Sequence, residues 1–163
     1  WSLVLVGPVA VADDEGRHAL QTLRSLTNVF FLGRKSVDDV PRYVAACDVC
    51  LLPYRVNEWT RNIDSLKLYE YLECGKPVVA VDIPAAQRFS GLVKVAIDEA
   101  EFVASKDVAL DEDGTALQAD RRRIAALHTW DRRVESLSAA IEEQLGERSG
   151  WKRDVALGKR GAR

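Results

Sequence analysis

Residues 65–82 read SLKLYEYLECGKPVVAVD and follow the polar stretch NEWTRNID at 57–64. Leu68, Tyr69, Tyr71 and Leu72 share one arc of a helical wheel, with Lys67, Glu70 and Glu73 on the opposite side, so the spacing predicts an amphipathic helix over 65–74. Asp64 is a residue type that caps helix N-termini. Gly75 stands where a left-handed terminating residue is wanted, and Pro77 lies just beyond it. The run KPVVAVD (76–82) then reads as a buried strand. Lys67 and Glu70, three apart, have the spacing of a solvent-facing ion pair worth a few tenths of a kcal/mol. The same two side chains could instead hold a ligand, with the glutamate accepting hydroxyl hydrogen bonds and the lysine facing an anion. Helical geometry permits both.

The same alternation continues outward in both directions. Strands are predicted at LVLVG (3–7), NVFFLG (28–33), DVCLLPY (48–54) and LVKVAID (92–98), besides 76–82. Helical spacing marks GRHALQTLRSL (16–26) and SVDDVPRYVAAC (36–47), the latter with Ser36 as N-cap and Pro41 falling late for a first turn. Residues 54–64 read as a polar loop. EAEFVASKDVAL (99–110), ALQADRRRIAALH (116–128) and WDRRVESLSAAIEEQLG (130–146) form a helical C-terminal part. Strand and helix units of this kind build an α/β, three-layer Rossmann-like domain with a mainly parallel sheet flanked by helices. The domain is expected over 1–146, followed by a basic, mobile tail over 147–163. In such a sheet, ligands bind beyond the carboxyl ends of the strands, where Gly7, Gly33, Arg34 and the loop 54–64 gather with the start of the 65–74 helix. Unpaired amides and the helix dipole suit that start to an anion.

Composition narrows the function classes. A chain of 163 residues with 47% hydrophobic and 29% charged residues has the makings of one globular domain. A net charge of −2 gives no global case for nucleic acid as a partner. No apolar run approaches the roughly 18 residues of a membrane span, and the expectation is a cytoplasmic protein. The chain holds no methionine and opens directly on a strand-like run, which predicts a piece of a longer protein with an N-terminal domain missing. Cys47 and Cys50 have C-x-x-C spacing, but a zinc site needs about four ligands, and His18 and His128 lie far off, so no metal site is expected. Cys50 reads instead as a small buried hydrophobe in a strand. Trp59 suits either cleft lining with Arg61 or packing on the neighbouring helix, and Trp130 is expected to pack.

From LVLVGP (3–8) through TWDRRVESL (129–137) the chain resembles the C-terminal, donor-binding domain of bacterial family 4 glycosyltransferases of GT-B fold, the "glycosyl transferases group 1". The most specific match is SLKLYEYLECGKPVV, which follows the family signature lk-x-x-E-x-x-x-x-G-x-PVv. The strand FLG and the segment CDVCLLPY arrive at the distances expected before it. The resemblance implies transfer of a glycosyl group, with retention of configuration, from a nucleotide-diphosphate sugar to a sugar or lipid-linked acceptor in polysaccharide or glycolipid synthesis. It implies no cofactor and no metal, and a location in the cytoplasm or at the inner face of the membrane. In that family two glutamates with seven residues between them hold the donor, the second on the ribose, and Glu70 matches the second. The position of the first is Asn62, an uncharged departure for which Glu58 or Asp64 is a candidate stand-in. By the same resemblance Glu70 and Lys67 serve catalysis, the amides of Ser65, Leu66 and Lys67 line the diphosphate, and Gly33 and Arg34 lie beside the base, with Gly7 at the same edge. The family's phosphate-binding Arg and Lys sit on a loop before LVLVGP and are absent from this sequence.

Two other classes fit an α/β chain of this size. One is a nucleotide-sugar epimerase of the same fold, and the other a non-catalytic receiver or flavodoxin-like module. A receiver wants an acidic cluster with a phosphoacceptor aspartate at a strand end, whereas the early strands here end VG, LG and PY. A Rossmann oxidoreductase wants G-x-G-x-x-G after its first strand, and GPVAVA does not supply it.

Overall fold

The computed structural model describes residues 1–158, with side chains through residue 146. Its strands are β1 (Leu3–Val6), β2 (Val29–Gly33), β3 (Cys50–Leu52), β4 (Val78–Val81) and β5 (Lys94–Ala96). Its helices are α1 (Asp14–Ser25), α2 (Val40–Ala46), α3 (Glu58–Arg61), α4 (Leu66–Glu73), α5 (Pro84–Gln87), α6 (Glu99–Asp111), α7 (Thr115–Ala125) and α8 (Trp130–Gly158). All strand pairing is parallel, as α/β alternation requires, and it divides into two ladders, β1–β2 and β3–β4–β5. Each predicted strand is present, in shortened form.

The core lies around β4. Val78, Val79 and Ala80 are all buried, which is why this strand reads as a continuous apolar run and not as an alternation. Leu68 and Leu72 of α4, Leu52 of β3 and Ile83 ahead of α5 close on it, while α7 packs against α4, and α6 against β4 and β5. By contrast α1 has no buried residue, and Val4, Val6, Phe30 and Leu32 of the β1–β2 ladder remain exposed.

The structure departs from the sequence reading in several places. The second helix starts at Val40, with Asp39 as N-cap, so Pro41 falls within its first turn, where its missing N–H costs nothing. Ser36 builds the preceding turn instead, donating its hydroxyl to Asp39 and accepting the Asp39 amide. The polar loop after β3 contains α3, whose Asn57 and Thr60 form a reciprocal capping box. Trp130 does not pack: it is 69% exposed, while His128, itself at the surface, sets its ring at a tilt to Tyr69 and edge-on to Phe89 at centroid distances of 5.2 and 5.6 Å. The last helix continues as backbone past Gly146 to Gly158, across the expected end of the domain. The tail expected at 147–163 falls on side chains and, from 159, a backbone outside the described residues.

Candidate donor site

Two glycines meet at the carboxyl edge of the first ladder. Gly7 donates its amide to the Gly33 carbonyl at 3.0 Å, and both have positive φ, 135° and 66°. A Cβ at either would find open space within 4 Å, so a short length of bare backbone faces solvent there. Arg34 follows, exposed, and Lys35 lies over the Tyr43 ring at 5.3 Å.

At the carboxyl edge of the second ladder, β3 runs out through Pro53 and Tyr54 towards the start of α4. The Tyr54 hydroxyl and the buried Ser65 hydroxyl stand 3.1 Å apart. A pocket of about 230 Å³ opens between these elements, lined by Leu51, Leu52, Pro53, Tyr54, Lys67 and Tyr71. Its walls are apolar apart from two hydroxyls and one ammonium, the mixture that binds a ligand body and orients one charged group. Burial, then the neighbouring Cys50 and Glu70, pushes the Tyr71 phenol far up, so it stays a neutral hydrogen-bonding group.

Ser65 is the N-cap of α4, yet its side chain makes no cap bond, and Leu68 is the first residue whose amide returns to a carbonyl, that of Ser65 at 3.1 Å. Among the described residues, the amides of Ser65, Leu66 and Lys67 have no backbone acceptor. They are unsatisfied donors at the positive end of the helix, beside a lysine. The other end of α4 is closed by the predicted glycine. Gly75 has φ 71°, its amide bonds to Leu72, and Lys76 bonds back to Tyr71, the paired bonds of a Schellman turn.

The predicted apolar arc is buried at Leu68, Tyr69 and Leu72 and half-buried at Tyr71, while Lys67, Glu70 and Glu73 are exposed. Among the described residues no ion pair includes Lys67 or Glu70. The surface pair that their spacing allows is not made. Lys67 lines the pocket, and Glu70 lies one turn further on, outside the lining.

Asn62 ends α3. Its carboxamide donates to the Glu58 carbonyl at 2.8 Å, so the residue at the first carboxylate position is held by its own short helix. Trp59 is 70% exposed, which corrects the packing alternative for it.

Asp64 is not the N-cap of α4, and it is poorly suited to stand in for a missing carboxylate. Its Oδ1 accepts from the Tyr69 hydroxyl at 2.8 Å and from Arg88 at 2.7 Å, and its Oδ2 from Arg133 at 2.6 Å. Partial burial pushes the Asp64 carboxyl up, but the Arg133 and Tyr69 bonds and the two arginine charges outweigh this and hold it below the usual carboxylate range. The sequence carried no signal for this cluster, because its partners lie on three different helices or their ends.

The three thiols are free, and burial pushes Cys50 up to about 12, so it is an inert core thiol at neutral pH.

Residues 1–110 match the family model described as "Glycosyl transferases group 1". A Bacillus subtilis (strain 168) protein, TuaH, named for glycosyl transfer in teichuronic acid biosynthesis, is 29% identical over an alignment of 136 residues that covers 80% of this chain and 34% of that protein. Among solved structures, Anabaena Alr3699/HepE in complex with UDP-glucose has a TM-score of 0.64 at 22% identity, covering 90% of this chain and 41% of that one. The same protein in complex with UDP gives 0.61 at 20% identity. The chain thus spans about a third of the curated relative and two fifths of the solved one. With the signature helix α4, its glycine turn and the parallel α/β scaffold all in place, the chain belongs to the group 1 glycosyl transferases.

Proposed function

We propose that this chain is the donor-binding part of a glycosyltransferase that moves a sugar from a nucleoside diphosphate to an acceptor hydroxyl during cell-surface polysaccharide or glycolipid synthesis. The observation that carries the reading is the start of α4, where three amides without backbone acceptors and Lys67 adjoin the apolar pocket at the sheet's carboxyl edge. Family membership supports it, as do the UDP-glucose bound by HepE and the polymer pathway for which TuaH is named.

In the reaction, the bond from the anomeric carbon to the diphosphate oxygen breaks, and its electron pair leaves with the nucleoside diphosphate. A bond forms between that carbon and the acceptor oxygen, whose proton passes to a base or to the departing phosphate. The sugar becomes oxocarbenium-like while negative charge grows on the leaving group. Fixed amides of Ser65, Leu66 and Lys67, the α4 dipole and the Lys67 ammonium meet that charge with donors already in place. The reading therefore calls for no metal and no cofactor. Glu70, one turn along α4, accepts the ribose hydroxyls and holds the donor in register. Gly7, Gly33 and Arg34 flank the base, and Asn62 faces the donor sugar through the carboxamide oxygen that its helix bond leaves available. The residues that bind the acceptor, and the catalytic base, come mainly from a further domain of the same protein, transfer retains configuration, and the enzyme works in the cytoplasm or on the inner face of the membrane. Among the described residues no helix is long and apolar enough to cross a membrane.

The test is to incubate the full-length protein with UDP- and GDP-sugars, with and without membrane or polymer acceptors. Sugar transfer that depends on acceptor is expected. Epimerised nucleotide sugar formed without acceptor would show an epimerase instead.

A further inference from the structure

Asp64 and Ser65 join the segment after α3 to the first turn of α4, and each is tied to a different side of the molecule. Ser65 meets Tyr54, at the exit of β3. Asp64 gathers Tyr69 of α4, Arg88 at the end of α5 and Arg133 in the first turns of α8. Arg133 also lies over the Tyr69 ring at 5.3 Å and the Trp130 ring at 5.9 Å, so its guanidinium is held by rings as well as by the carboxylate. Three helices converge on one carboxylate, directly before the amides of 65–67.

The cluster is open to solvent: the side chains of Arg88, Asp64 and Arg133 are 54%, 34% and 37% exposed. Ion pairs so exposed contribute little to global stability. Their effect is local, on the direction in which the chain enters α4. Asp64 also sets the charge there, since two arginines without it would repel each other.

We infer that Asp64 is a positioning residue for donor binding: by drawing Arg88 and Arg133 together, with Arg133 over Tyr69, it fixes the entry to α4 and aims the Ser65, Leu66 and Lys67 amides at the diphosphate. The inference rests on the donor-site reading above and adds to it a group that touches no substrate. A group that aims diphosphate donors affects the diphosphate and leaves contacts with the nucleoside unchanged, whereas general loosening weakens both.

The experiment is calorimetric titration of the full-length protein with UDP, GDP and ADP, and with uridine, guanosine and adenosine. The proteins are wild type, Asp64→Asn, Arg133→Gln, Arg133→Lys and the double variant Asp64→Asn/Arg133→Gln. For the diphosphate that wild type binds, Asp64→Asn and Arg133→Gln are expected to lose about tenfold in affinity, the scale of one charged hydrogen bond. Arg133→Lys should recover part of the loss, the double variant should be no weaker than the worse single one, and nucleoside affinity should stay within about twofold. Diphosphate affinities within about twofold of wild type, or equal losses for nucleoside and diphosphate, would overturn the inference. Should Asp64→Asn not fold, the two Arg133 variants are judged by the same criteria. If wild type binds none of the three diphosphates, the donor-site reading itself falls, and this inference with it.

Discussion

Arg121 is the most deeply buried charge among the described residues, 4% exposed, and Asp113 is its counter-charge at 2.5 Å. The same guanidinium donates to the carbonyls of Leu92 and Gly75, at 3.1 and 3.2 Å, so it ties α7 to the approach of β5 and to the turn that ends α4. Removing the carboxylate strands that charge, and Asp113→Ala is expected to destabilise the fold by about 3 kcal/mol in denaturant titrations. Burial raises the Asp113 carboxyl, but the bonds from Arg121 and Gln118 more than reverse this, so its folded value lies below its unfolded one. The folded state then binds less proton at acid pH. The stability that Asp113 contributes is complete above its unfolded value of about 4 and is lost as pH falls towards the lower folded value. Asp113→Asn should flatten the acid limb of stability against pH, followed by melts from about pH 3 to pH 7. Neither this pair nor the Asp64 cluster was legible in the sequence. Asp64 precedes a helix and so resembles a cap, but its arginines are 24 and 69 residues away, and no local pattern reports them.

At the scale of the element, α4 is where local pattern and tertiary packing agree. Its arc, its exposed charges and its glycine turn were all legible, because each depends on spacing within one short segment. Gly75→Ala is expected to cost about 1–2 kcal/mol, the penalty for an L side chain in the left-handed region, with a lowered Tm as the readout. The new Cβ would also meet the Arg122 guanidinium at 2.7 Å, which has room to swing aside as the end of a long side chain. The four-residue α3 was not legible, since one turn offers no periodicity to detect, although Asn57 and Thr60 sit at capping-box spacing. Asn57→Ala should cost about 1 kcal/mol by the same measurement. The late start of α2 escaped the sequence for a different reason: Ser36 and Asp39 are both capping types, and only the Ser36 turn decides between them.

Over the whole molecule, the succession of strands and helices, the parallel pairing and the buried character of β4 follow from apolar runs, and these were legible. The burial of each face was not, because it depends on what packs there. Trp130 is the clearest case: a tryptophan in a helical segment reads as core, yet here it stands exposed with Val134, Leu137, Ile141 and Leu145 on the same helix. Stability is concentrated instead where α4, β4 and α7 meet, and Leu72, 0% exposed, lies within it. Leu72→Ala should lower stability by about 3 kcal/mol, read from a shifted denaturant midpoint at unchanged slope. The proposed donor site sits on the rim of this core, against which the first turn of α4 is packed.

Calorimetric titration of the full-length protein and its Glu70→Ala variant with UDP, GDP and ADP tests the central claim most directly. Glu70 is exposed and makes no ion pair among the described residues, so its removal leaves the fold intact. One of the three nucleotides is expected to bind wild type, and to bind the variant about tenfold or more weakly, as loss of hydrogen bonds to a charged acceptor requires. Equal affinities for the two proteins would show that Glu70 is only a surface charge and would contradict the account.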